Sequence, residues 1–139
     1  MAGLHAATAA PTWPTINGQF IPDMMYNLTP GWKNFLDNKI MVQFIHRGLA
    51  YTILVLVIIW WLRANKIVGS ALFSKTKLVP LLLVLLQVLL GITTVVLSPY
   101  GNNLVWLGVA HQLVAVLFLM SIVFMLYIIR PSVVQNRYF

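Results

Sequence analysis

Residues 78–129 carry no charged side chain. A helix crosses a bilayer in about 20 residues, so this stretch is too long for one span. Its only turn signal is Ser98-Pro99-Tyr100-Gly101-Asn102-Asn103, where Pro and Gly break regular structure. The run therefore divides into residues 78–97 and 104–129. An earlier apolar segment, 40–62, holds a single charge, Arg47, near its start. At about 1.5 Å per residue, each piece is long enough for a hydrocarbon layer roughly 30 Å thick. Composition agrees: 60% of the 139 residues are apolar and 8% are charged, where soluble domains hold about 45–50% and 25%. A water-soluble enzyme with a conventional core is excluded. The expected fold is an all-α integral membrane protein. An external loop segment covers residues 1–38 and a three-helix transmembrane bundle covers 39–139, with spans A, B and C at 40–62, 78–97 and 104–129.

Cysteine is absent, which excludes a disulfide framework, a thiolate nucleophile, an iron–sulfur cluster and c-type haem attachment. The basic residues orient the spans. The A–B connection carries Arg63, Lys66, Lys75 and Lys77 without an acid, and the tail adds Arg130 and Arg137. Ahead of span A, Lys33 and Lys39 are balanced by Asp23 and Asp37, and the B–C turn is uncharged. By the positive-inside rule the A–B connection and the C-terminus are cytoplasmic and the N-terminal segment lies outside. Trp60, Trp61 and Tyr127 then form an inner aromatic belt, with Tyr100 and Trp106 in the outer one. The net charge of +7 reports topology; the partner it implies is the lipid bilayer, not nucleic acid.

Residues 1–38 are polar and turn-rich, with Pro11, Pro14, Pro22 and Pro30. They are too broken for a helix in lipid, and they predict an ordered external loop anchored by Trp13 and Trp32. The opening ten residues have neither the basic start nor the long apolar core of a signal peptide, which leaves the external N-terminus without a means of export. One explanation is that residues 1–10 are the tail of a preceding span. The absence of a transit peptide favours a bacterial inner membrane.

Ionisable groups inside spans point to function, and here they are His46 in span A and His111 in span C. His46 lies six residues inside residue 40 and His111 seven inside residue 104, so both sit about 10 Å below the outer boundary. Gly91 of span B, running the other way, falls at the same depth. His111 has Gly108 at i−3 and Ala115 at i+4, and His46 has Ala50 at i+4, on shared helix faces. Such small neighbours leave room for a flat, wide ligand. A haem held axially by one imidazole from each helix satisfies this layer, with Arg47 pairing a propionate. Histidines that merely hydrogen-bond between helices satisfy it as well. Arg47 on that view snorkels and Gly91 serves close packing. A closed zinc site wants four ligands, and no Cys, Asp or Glu lies at this depth. Gln87 and Thr94 read as interhelical hydrogen bonds. His5 has no partner of known spacing and receives no role.

Val42-Gln43-Phe44-Ile45-His46-Arg47-Gly48-Leu49-Ala50-Tyr51 resembles the helix start of the second half of haem A synthases. Leu86-Gln87-Val88-Leu89-Leu90-Gly91-Ile92-Thr93-Thr94 and Ala110-His111-Gln112 are similar to that family's next two helices. Ala2-Gly3-Leu4-His5-Ala6 with Thr12-Trp13-Pro14-Thr15-Ile16-Asn17-Gly18 resembles its external loop after the fifth span. The four landmarks run in order nearly end to end. The resemblance implies an oxidoreductase of haem A biosynthesis for terminal oxidases, which converts a methyl group of haem O to a formyl group. Its members have eight spans in two pseudo-symmetric four-helix halves, each with a histidine pair. The pair matching His46 and His111 is the one taken to hold a resident haem b, and the first half, with an essential glutamate, takes the substrate haem.

On that comparison the chain departs from the pattern in lacking the first half and the span that opens the second. The three spans then form most of a four-helix haem-binding bundle. A haem with two imidazole ligands has no open position for oxygen chemistry and suits electron transfer. The residues expected to serve haem b are His46 and His111 as axial ligands, Arg47 at a propionate, and Gly91, Gly108 and Ala115 around the macrocycle. The expected partners are the first half of the enzyme, or a separate subunit supplying it, and haem O; a homo-oligomer stays open. The rival readings are a stand-alone b-type cytochrome subunit and a non-catalytic membrane anchor or assembly subunit.

Overall fold

The structure, a computed structural model, describes residues 6–101 and 104–129. His5, Asn102, Asn103, Arg130 and Arg137 lie outside the described residues. Among those described the chain is helical, without strands: α1 (Ala6–Ala9), α2 (Lys39–Ala64), α3 (Ala71–Thr76), α4 (Val79–Val96) and α5 (Leu104–Ile129), with short 3-10 turns between. Three helical stretches are long and apolar enough to cross a membrane: α2, α3 running into α4, and α5. Few of their residues are buried inside the chain, and large apolar side chains such as Leu49, Leu89, Leu113 and Leu119 face outward. The molecule is that of an integral membrane protein.

Local chemistry sets the helix ends. Asn38 caps α2, its side-chain oxygen accepting from the Ile40 and Met41 amides at 2.9 and 3.2 Å and so satisfying two otherwise orphaned donors. Span A accordingly starts one residue earlier than expected and runs on to Ala64. Span B differs more. Ser70 caps α3 by accepting from the Phe73 amide at 3.2 Å, so a separate helical turn precedes the span. Pro80 then sits in the first turn of α4, where its missing N–H costs no helical hydrogen bond. Span C keeps its expected bounds.

The connection ahead of α2 is ordered and packs on that helix. Ile16 and Gln19 exchange backbone hydrogen bonds at 2.8 and 3.1 Å around Asn17 and Gly18, whose φ values of 51° and 88° are those a tight Asn-Gly hairpin turn requires. Ala10, Ile16 and Met25 are buried against Ile40 and Met41 at the start of α2. Beneath them Asn38 Nδ2 donates to the carbonyls of Met24 and Met25, at 2.8 and 3.1 Å. Asn34, 1% exposed, both accepts from the Leu28 amide and donates to the Leu28 carbonyl. The Ser98 hydroxyl donates to the Ala7 carbonyl at 3.2 Å, which brings the α4–α5 turn to the same end. At the opposite end Ala64, Phe73 and Met125 bury one another beside Trp60 and Ile128. Of the spans, α4 packs most extensively along α5 and less so against α2.

Candidate two-histidine site

His46 and His111 come together from α2 and α5, with ring centroids 6.3 Å apart and planes inclined at 55°. His46 is exposed and His111 half-buried. The third wall is α4. Gln87 Nε2 lies 3.0 Å from His111 Nε2, and Gly91, one turn further on, faces the edge of the same ring. A Cβ on Gly91 would stand 3.3 Å from His111 Cε1, so the absence of a side chain there seats the imidazole. His111 Nδ1 and Gln87 Oε1 are buried with no hydrogen-bond partner. Gly108 has open space where a Cβ would be, and Ala115 is half-buried. Among the described residues no third His, Asp or Glu joins the pair. The pair offers two imidazoles as candidate donors.

Arg47 leads away from the pair into the loop. Its Nη2 donates to the Thr12 carbonyl at 2.8 Å and to Gln43 Oε1 at 3.2 Å. Its Nη1 donates to the Thr15 carbonyl at 3.1 Å. Longer contacts of 3.4 Å reach the carbonyls of Pro14 and Ala10. Gln43 is fully buried and donates from Nε2 to the Ala6 and Ala10 carbonyls. Trp13 Nε1 donates to Tyr51 Oη at 3.1 Å. Gln43, Arg47 and Tyr51 of α2 and its cap Asn38 thus hold the segment that covers the N-terminal part of the helix.

Sequence reasoning missed this role of Gln43; the signal available was an amide at i−4 from an arginine in an apolar helix. It placed Gln87 between helices without a partner, which the structure identifies as His111. Thr94 differs from its expected interhelical bond. Its hydroxyl donates to the Leu90 carbonyl of its own helix at 2.7 Å, the usual outlet for a threonine hydroxyl in an apolar setting.

A model of the cytochrome oxidase assembly protein family matches residues 1–123. The Heme A synthase of Beijerinckia indica is 42% identical over 121 residues, covering 86% of this chain. Those of Brucella anthropi and Brucella suis are 37% and 35% identical over 119 residues. This chain belongs to the haem A synthase family. The family is one of oxidoreductase enzymes concerned with cytochrome oxidase assembly. The chain spans about a third of the length of these curated relatives, 33% of the first and 32% of the other two. No solved structure gives a significant match.

Proposed function

We propose that this chain is the haem b-holding part of a haem A synthase and supports oxidation of the haem O methyl group to the formyl group of haem A. The observation that carries this reading is the spacing of the two rings. With a metal–imidazole bond of about 2 Å and each ring centroid about 1 Å beyond its nitrogen, two imidazoles that shared one metal from opposite sides would have centroids about 6 Å apart. The centroids stand at 6.3 Å. The donor chemistry agrees: histidine imidazole is a usual protein ligand of haem iron. His46 and His111 would hold it, and bound in this way it supplies one-electron transfer.

The remaining roles fall to this chain's own residues. Neutral imidazole offers a lone pair from a ring nitrogen, so both histidines serve uncharged. Gly108 and Ala115 keep the α5 wall low where a macrocycle would lie, and Gly91 admits the His111 ring. Arg47, next in sequence to His46, would serve as the cation for a propionate carboxylate only by giving up part of its hold on the Thr12 and Thr15 carbonyls. Residues 1–38 act as an external loop segment that excludes water from the outer side of the bundle formed by 39–139. In this reading the N-terminal side faces outward and the C-terminus lies in the cytoplasm of a bacterium, at its inner membrane. The substrate haem O would belong to the part of the enzyme that the relatives' greater length supplies.

The test is spectroscopic. The chain is purified from membranes grown with haem supply, and oxidised and dithionite-reduced spectra are recorded beside His46→Ala and His111→Ala. A low-spin b-type spectrum, lost or converted to high spin in both variants, is expected. A well-folded wild-type chain that takes no haem, or variants that keep the low-spin spectrum, would overturn the axial assignment.

A further inference from the structure

Gln87 belongs to no ligand set, yet it occupies one of the two ring nitrogens of His111. Its amide has two arrangements of equal shape. With the NH2 group donating to His111 Nε2, the ring proton sits on Nδ1, and both Nδ1 and Gln87 Oε1 are buried without partners. Buried polar atoms left unpaired are few in folded proteins and each calls for a reason. After a half-turn of the amide, the carbonyl accepts from Nε2–H, the NH2 group takes the buried unpaired place that Oε1 held, and the lone pair passes to Nδ1. The hydrogen bond is kept in both arrangements, so the side of the ring facing Gln87 stays fixed while the tautomer is chosen by the amide. At Gly91 the α4 backbone approaches the ring edge so closely that an added Cβ would stand 3.3 Å from His111 Cε1 and 3.8 Å from Nδ1.

From this we infer that Gln87 is a positioning residue for His111: its carbonyl holds the Nε2–H tautomer and orients the imidazole, which leaves a single nitrogen for iron. The inference rests on the haem-ligating reading of His111 given above. Histidine ligands are generally held through their second nitrogen, and loss of that partner weakens metal binding by about 10–100-fold. A carbonyl accepting the ring proton also makes the imidazole more basic, which favours ferric over ferrous iron.

The experiment uses the full chain loaded with haem b. Haem affinity, the midpoint potential and the low-spin electron paramagnetic resonance signature are compared for wild type, Gln87→Met and Gln87→Glu. Gln87→Met keeps the length of the side chain without its hydrogen bond. It is expected to weaken ferric haem binding about tenfold and to raise the potential; a tenfold loss confined to the ferric form corresponds to about 59 mV. Gln87→Glu keeps an acceptor oxygen and is expected to hold haem as wild type does, at a lower potential than Gln87→Met. Unchanged affinity and potential in Gln87→Met would overturn the inference, as would tighter binding, which would mean that Gln87 blocks the ligating nitrogen. A wild-type chain without a two-histidine spectrum would instead fail the underlying reading, and the two failures are told apart by the wild-type sample alone.

Discussion

Replacing Gly91 with alanine sets two effects of opposite sign against each other. In an exposed helix interior, Gly→Ala favours the helix by about 1 kcal/mol, and α4 is otherwise regular through this position. The added Cβ, however, would lie 3.3 Å from His111 Cε1, inside the optimum of about 3.5–4.0 Å for two carbons. The ring must move by a few tenths of an ångström, away from α4. The bond to Gln87 starts at 3.0 Å, and the same displacement takes it beyond the usual hydrogen-bonding limit of about 3.2 Å. Misplacement on the scale of 1 Å costs about a hundredfold where geometry matters, so a shift of a third to a half of that corresponds to several-fold to about tenfold weaker haem binding. Gly91→Ala is therefore expected to unfold in detergent at a temperature equal to or above wild type while binding haem less tightly. Gly91→Leu, whose side chain would fill the space of the ring, is expected to abolish the low-spin spectrum. Thermal unfolding of the haem-free chain and a haem titration of the same preparation measure both sides. Wild-type affinity in Gly91→Leu would refute the seating of His111 on Gly91. A parallel fall of stability and affinity in Gly91→Ala would show that the glycine serves the backbone instead.

Three further substitutions probe the scaffold. Asn38→Ala removes the α2 cap, about 1 kcal/mol, and leaves the Met24 and Met25 carbonyls without a donor, about 1–3 kcal/mol more; detergent unfolding should show a loss of about 2–4 kcal/mol. Arg47→Met deletes the bonds to the Thr12 and Thr15 carbonyls, worth about 1.5 kcal/mol or more each as charged pairs, so trypsin should cleave at Lys33 at least about tenfold faster than in wild type. Phe73→Ala empties the contact among Ala64, Phe73 and Met125, where core phenylalanine truncations cost about 3–5 kcal/mol; a fall in unfolding temperature with haem affinity unchanged is expected, since the site lies at the other end of the helices.

The spans were legible because lipid imposes a simple rule: an uncharged run longer than one span must turn, and only Ser98-Pro99 onward could turn it. The pairing of His46 with His111 was legible for a related reason. Straight helices of known rise convert sequence offset into depth, and two helices running in the same direction preserve it. What the sequence hid depends on lateral contacts, which depth does not encode. Arg47 read as a cation near an interface, but its neighbours are carbonyls supplied by Thr12 and Thr15 more than thirty positions earlier. Gln87 was recognisable as a polar group needing a partner, yet its alignment with His111 depends on how α4 is rotated against α5. The turn of helix at α3 was written in Ser70 and Phe73, but a cap of one serine is easily outweighed by the apolar run that follows it.

The hold that Gln43 and Arg47 keep on the preceding segment bears on how the protein is made. Emerging from a ribosome into a bilayer, α2 brings a guanidinium and an amide that find most of their acceptors in residues 6–15. Until those carbonyls arrive, the two groups face lipid or remain at its surface, and an arginine at mid-bilayer is disfavoured by about 2.5–3.5 kcal/mol even on insertion scales. The outer part of α2 can settle only after the stretch synthesised before it has reached the same face of the membrane. Placement of the one and settling of the other are therefore coupled, and a change in residues 6–15 would be felt first at the helix that carries His46.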